Sequence, residues 1–223
     1  MKFTHIIFGG IGTLVETSEY QYQAYNTALV LNDIDYHWER EDYIASLSIS
    51  GGPLRLETIQ TETGSRLTSE QIINVHLDKT RVFNALIRER GLKLREGADD
   101  LIRVCLERDV KLAWATTTSQ ENIDAITDSL HNDLLIQSLV KTTNATFVEN
   151  PKPDPEIYEK VMYSLGITVT DVIAIEDSPS GVKSACGAGI TTLAFPGEMN
   201  SGKEFPNALK IISGLSEVIA YIE

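Results

Sequence analysis

"VIAIEDSPSGVKSACGAG", residues 172–189, reads as strand, turn and helix in one stretch. Val172 to Ile175 form a short apolar run of the length a buried strand needs. Glu176 and Asp177 follow as adjacent carboxylates, and small residues then carry a helix towards Gly189. The same order recurs on either side. "KLAWA" (111–115), "LLIQSLV" (134–140) and "ITTLAF" (190–195) read as strands. "ADDLIRVCLERD" (98–109), "SQENIDAITDSL" (119–130), "DPEIYEKVMYSLGI" (154–167) and "LSEVIAYIE" (215–223) read as helices. Strands alternating with helices predict an α/β fold, a Rossmann-like parallel sheet covered on both faces. The run ending at Phe8 belongs to the same sheet. Between it and the rest, residues 17–92 contain no convincing strand. They read as four helices, from "EYQYQAYNTALVL" (19–31), "EREDYIASLS" (39–48) and "PLRLETIQTE" (53–62) to "TSEQIINVHLDKTRVFNALIRER" (68–90). Thr68 and Gln71 make a capping-box pattern for the last of these, and Gly91 stops it. The chain therefore divides into a core of residues 1–16 and 93–223 and an inserted helical domain of residues 17–92.

Length and composition set the outer limits. The 223 residues suffice for one large domain carrying an insertion. A net charge of -13 argues against nucleic acid and anionic membrane as partners, since both would repel the chain. No apolar run approaches the length of a membrane span. The N-terminus, with Lys2, Thr4 and His5, does not read as a signal peptide. Cys105 and Cys186 sit in apolar helical contexts, which excludes a disulfide framework and makes a reducing cytoplasm the expected location. No sequence feature specifies an oligomeric state.

In parallel α/β sheets, ligands bind beyond the carboxyl ends of the strands. The first strand ends in Gly9-Gly10-Ile11-Gly12-Thr13. The spacing approximates a dinucleotide fingerprint, but that reading needs an acidic residue ending a second strand some way on, and a helix stands there. "KLAWA" ends in Thr116, Thr117, Thr118 and Ser119, hydroxyls at a helix start where backbone N–H groups favour anions. Asn150-Pro151-Lys152-Pro153 holds Lys152 between two prolines, a stiff setting for a fixed cation. Glu176 and Asp177 close the fourth position with carboxylates suited to a hard divalent ion. A cation, hydroxyls and carboxylates on one sheet edge describe a phosphate and Mg²⁺ site.

Four of these stretches carry a family resemblance. "IIFGGIGTLVETS" (6–18), "LAWATTTS" (112–119), "NPKPDPEIYEKV" (150–161) and "VIAIEDSPSGVKSACGAG" (172–189) resemble the four motifs of the haloacid dehalogenase-like superfamily. Within the insertion, "YHWEREDYIASLSISGGPLRLETI" (36–59) is similar to CbbY-type sugar-phosphate phosphatases, and less closely to β-phosphoglucomutase and phosphoglycolate phosphatase. The resemblance implies that the insertion is a cap closing over the substrate, with Arg55 facing its phosphate. It implies phosphate contacts from Thr116, Thr117 and Lys152. It implies Mg²⁺ held by Asp177, the Ile11 carbonyl and, through water, Glu176. It places the family's nucleophilic aspartate at Gly9 and its acid/base aspartate at Ile11.

Neither carboxylate is present. A glycine supplies no nucleophile and an isoleucine carries no proton. Thr13 has no adjacent base to activate it, and His76 and His131 read as surface or helix residues. The expected function is a phosphatase scaffold for a small phosphorylated metabolite, impaired or inactive in turnover. Two readings stay open: a Mg²⁺-dependent sugar-phosphate phosphatase, and a binding module that senses a phosphorylated metabolite or free phosphate. Loss of two anions predicts phosphate binding that depends less on Mg²⁺, with Mg²⁺ alone bound worse.

Overall fold

The computed structural model describes residues 2–116, 118–130, 139–143 (backbone only) and 148–222. Six strands form one sheet in the order β3-β2-β1-β4-β5-β6. They are β1 (His5–Phe8), β2 (Lys111–Ala115), β3 (Leu139–Thr143), β4 (Val172–Glu176), β5 (Thr191–Ala194) and β6 (Lys210–Ile211). Every neighbouring pair is parallel. β1, at the middle of the order, pairs Phe8 with Trp114 on one side and Ile175 on the other. The residues after these three positions are thereby brought to one edge. β1 and β4 are buried almost throughout, as a sheet covered on both faces requires.

Between β1 and β2 lie α1 (Ile11–Leu14), α2 (Ser18–Leu31), α3 (Arg40–Ser46), α4 (Gly52–Leu56), α5 (Ser69–Arg90) and α6 (Ala98–Glu107). α7 (Gln120–Leu130), α8 (Glu156–Leu165) and α9 (Pro179–Gly187) follow the later strands. α5 starts on the expected capping box. Gln71 N–H donates to Thr68 Oγ1 and the Gln71 side chain accepts from Thr68 N–H. It stops at Gly91, whose φ of 73° a side chain would resist. α4 is shorter than its apolar spacing suggests: Glu57 N–H closes the last i→i−4 bond, on Pro53, and Thr58 and Ile59 then bond three residues back, to Arg55 and Leu56, in a tightened last turn. The last segment is a 3₁₀ helix, Leu215–Tyr221, rather than an α-helix. β3 shares Leu139 and Val140 with the expected strand 134–140 and runs on to Thr143, while 134–138 lie outside the described residues.

Among the described residues the interior has three main parts, one of them packing Ile7, Ala113 and Ala174 of the sheet against Ile157, Tyr158 and Val161 of α8. A larger apolar cluster joins β1, α1, α6 and β2 and includes Phe83 and Ile87 from the end of α5. A third gathers Tyr25, Trp38, Tyr43, Leu56 and Val75 from the inserted helices, together with Met199, which follows β5. Tyr25, Trp38 and Tyr43 meet one another at ring separations of 5.4 to 6.0 Å, within the range of favourable aromatic packing.

Candidate functional site

The loop after β1 is shaped by what its glycines leave out. A Cβ on Gly9 would overlap Glu176 Oε1 and the Tyr158 hydroxyl. On Gly10 or Gly12 it would run into the Asp177 carboxylate. Both carboxylates at the end of β4 thus lie folded onto this loop. The Gly10 carbonyl is fixed from two sides, by Trp114 Nε1 at 2.8 Å and Thr13 Oγ1 at 2.6 Å.

Lys152 is 7% exposed. Its ammonium donates to the Gly9 carbonyl, to the Ala115 carbonyl at 3.0 Å and to Glu176 Oε1 at 2.6 Å. It stitches together the ends of β1, β2 and β4. Tyr158 OH also donates to Glu176 Oε1, at 2.6 Å, and the Asp177 N–H to Glu176 Oε2 at 3.2 Å. Burial and the Glu176 charge beside it push the Tyr158 phenol upward, so it stays a donor. Asp177 is pushed up to about 7, first by desolvation and then by Glu176, against the pull of Lys152 and Arg95. Thr116 is buried, and its Oγ1 accepts from Thr118 N–H at 3.2 Å at the approach to α7. Thr117 lies outside the described residues.

The inserted helices face this loop with cations. The Arg55 guanidinium lies 5.7 Å from the ring centres of both Tyr25 and Tyr43. It donates to the Ser46 and Ile49 carbonyls at 3.3 and 3.1 Å. Lys79, on α5, is 5% exposed. Its Nζ lies 5.1 Å from the Tyr25 ring centre and 5.0 Å from that of Phe83, with no hydrogen-bond acceptor among the described residues. Burial first, and Arg55 second, lower its pKa to about 7. His76, one turn earlier, is lowered to about 4 by burial and Lys79, and its Nδ1 is buried without a partner among the described residues.

A cavity of about 310 Å³ lies between the two faces. Gly9, Ile11, Thr116, Lys152 and Asp177 line one end, and Arg55, His76 and Lys79 the other. Of the residues named from sequence, the structure brings Gly9, Ile11, Arg55, Thr116, Lys152, Glu176 and Asp177 to this cavity. Lys79 was not named from sequence, and His76 was named there only as a surface or helix residue. His76 is a helix residue, as expected, but it faces the cavity, while His131 lies outside the described residues. Lys79 left a signal: it stands between Val75 and Phe83 at four-residue spacing on the buried face of a helix, where a lysine is anomalous.

Among the described residues no three His, Cys, Asp or Glu side chains gather as a metal cluster. Glu176 is engaged by Lys152 and Tyr158, and the Ile11 carbonyl accepts from Val15 N–H at 3.1 Å. Asp177 is left as one carboxylate. Mg²⁺ asks for near-octahedral oxygen ligation, and these residues alone do not fit it.

Known proteins share this fold. The family model described as haloacid dehalogenase-like hydrolase matches residues 6–195. The chain is 30% identical over 213 residues to protein CbbY of Cereibacter sphaeroides, covering 96% of this chain and 93% of that protein. It is 28% identical over 200 residues to a phosphorylated carbohydrates phosphatase of Thermotoga maritima, covering 89% and 88%. Its fold is similar to the crystal structure of a mutant CbbY from Rhodobacter sphaeroides in complex with xylulose-(1,5)bisphosphate. The TM-score there is 0.90 with 29% identity, over 99% of this chain and 100% of that one.

Proposed function

The chain belongs to the haloacid dehalogenase-like hydrolases, and from that premise we propose that it binds a small phosphorylated carbohydrate without turning it over at the rates of an intact phosphatase. In this reading residues 17–92 act as a cap over a core formed by 1–16 and 93–223. The observation that carries the proposal is the pairing of two unlike ends in one cavity. The core end lacks a carboxylate nucleophile at Gly9 and an acid/base group at Ile11. The cap end holds Lys79, a buried cation with no acceptor among the described residues, beside His76 and Arg55. An unpartnered buried cation costs free energy unless an anion meets it. A bound phosphate group supplies that anion, and the bisphosphate ligand of the CbbY structure has the two-ended chemistry this cavity suits. Loss of a nucleophile in another hydrolase costs about 10⁶ in turnover, which sets the scale of the expected impairment.

Mg²⁺ enters this reading only together with substrate oxygens, since among the described residues lining the cavity Asp177 is the one carboxylate not held by Lys152 and Tyr158. The role is that of a binder or sensor in the cytoplasm. Calorimetry with a ketopentose bisphosphate, the matching monophosphate and the unphosphorylated sugar tests the binding. The expected order is bisphosphate tightest, with Lys79→Met weakening it at least about tenfold, the loss of one good charge-assisted contact. Phosphate release from the same compounds should stay at background. Steady release comparable to an intact relative, abolished in Asp177→Asn, would overturn the inactive reading.

A further inference from the structure

Lys152 has three N–H donors and no more. All three are in use, on Gly9 O, Ala115 O and Glu176 Oε1. An anion arriving at the core end of the cavity therefore finds this cation already satisfied. Two of the three acceptors are neutral carbonyls fixed by the strands. The third is a charged side chain on rotatable bonds, and it is the one that can leave.

Why Glu176 stands there is a matter of space. Its carboxylate fills the volume a Cβ on Gly9 would take, and a Cβ on Gly181 would overlap it from the other side. Gly181 belongs to the first turn of α9. The residue is 1% exposed, held by Lys152 and by Tyr158 OH at 2.6 Å. With any side chain at position 9, this seat would not exist. The carboxylate occupies the space beside Gly9 that a side chain there would fill.

We propose that Glu176 is an internal counter-ligand which occupies Lys152 in place of an incoming phosphate, so that anion binding at the core end requires Glu176 to withdraw. The inference rests on the reading of the cavity as a phosphate site and adds what limits its affinity. The core end then binds phosphate weakly in the free protein, and the cap cations dominate. Withdrawal exchanges one oxyanion for another on Lys152, with no change in the charge of the site's cation.

Two substitutions test this by different routes. Glu176→Gln removes the competing charge and keeps the shape. Gly9→Ala keeps the charge but inserts a Cβ where the carboxylate sits. The probe is inorganic phosphate, titrated by calorimetry into the native chain and both variants, with circular dichroism to verify folding. Phosphate affinity should rise at least tenfold in Glu176→Gln and rise in the same direction in Gly9→Ala, and Lys152→Met should abolish the gain. Unchanged or weaker phosphate binding in both folded variants overturns the proposal. A parallel titration with the sugar bisphosphate separates the two ideas. If the bisphosphate binds the native chain and phosphate affinity ignores Glu176, the counter-ligand is wrong and the function stands. If phosphate affinity follows Glu176 while no sugar phosphate binds, the substrate class is wrong and the counter-ligand stands.

Discussion

Ile11 is only 8% exposed and packs in the main apolar cluster, although a carboxylate is expected at its position from the family resemblance. The side chain therefore contributes stability where an aspartate would contribute chemistry. Burying such a side chain stabilises by about 1.5–3 kcal/mol, and a carboxylate in the same place carries a desolvation cost besides. Ile11→Asp should lower unfolding stability by about 3 kcal/mol in a urea titration; a change within about 0.5 kcal/mol, typical of a surface site, would mean the position is solvated. Lys152 and Glu176 give the second residue-level prediction. Removing one member of a buried pair typically costs about 3–5 kcal/mol. Lys152→Met should fall in that range, and the double variant with Glu176→Gln should cost less than the two single losses added together. Strict additivity would show that the pair is not coupled. Gly9 and Ile11 are legible in the sequence as departures from a motif. Where Glu176 points is not, because it depends on free volume beside Gly9 and Gly181, residues far apart in the chain.

α5 is the element in which local signals and tertiary demands part company. Its ends are written in the sequence: Thr68 and Gln71 form the capping box and Gly91 ends the helix. Its middle is not, because Lys79 interrupts the apolar face and only the cavity beyond explains it. Burial and Arg55 lower Lys79 from the ordinary 10.5 to about 7, with His76 also facing it. Below pH 7 both folded and unfolded chains hold the proton, and the full cost of burying the charge is present. Between about 7 and 10.5 the unfolded chain holds more protons than the folded one, so stability climbs with pH. Lys79→Met should therefore be more stable than the native chain near pH 7, with the gap narrowing towards about pH 9, read from urea midpoints. An arriving phosphate reverses the shift, so binding near pH 8 should take up a proton, visible as a dependence of the calorimetric heat on the buffer's ionisation enthalpy. Binding without proton uptake would place the anion away from Lys79. The other element-level surprises have the same kind of cause. The final segment winds as 3₁₀ over Leu215–Tyr221, with Leu215 and Val218 buried three residues apart, a spacing that a 3₁₀ turn brings to one face.

Taken as a whole, the molecule ties its inserted helices to the sheet through α5 and through the segment after β5. α5 belongs to two of the interior parts, through Val75 in one and Phe83 and Ile87 in the other. The segment after β5 reaches back across the cavity: Met199 is buried among Tyr25 and Tyr43, and Lys203 Nζ donates to the Ile44 carbonyl at 3.2 Å. Between them, Asn200 Nδ2 donates to the Asp177 carbonyl at 3.1 Å. One short stretch thus touches both the aromatic floor of the inserted helices and the carboxylate end of β4. Alternation of strands and helices makes the sheet readable from the sequence, whereas this strap follows from no periodicity, since Met199 is an isolated apolar residue in a single 3₁₀ turn, Glu198–Asn200. Truncating a buried methionine costs about 2–5 kcal/mol when the site cannot collapse. The loss in Met199→Ala should not be spread evenly. α3 has seven residues and a single buried side chain, Tyr43, so it depends most on this contact. Local opening free energies differ between elements according to such packing. Amide exchange in α3 should therefore accelerate in Met199→Ala while β1 and β4, enclosed by the sheet, keep their protection. Equal acceleration in all three would mean that the strap stabilises the molecule globally and does not hold the inserted helices against the site. Acceleration confined to α3, reversed by a bound sugar bisphosphate, would identify ligand and strap as two supports of the same closed arrangement.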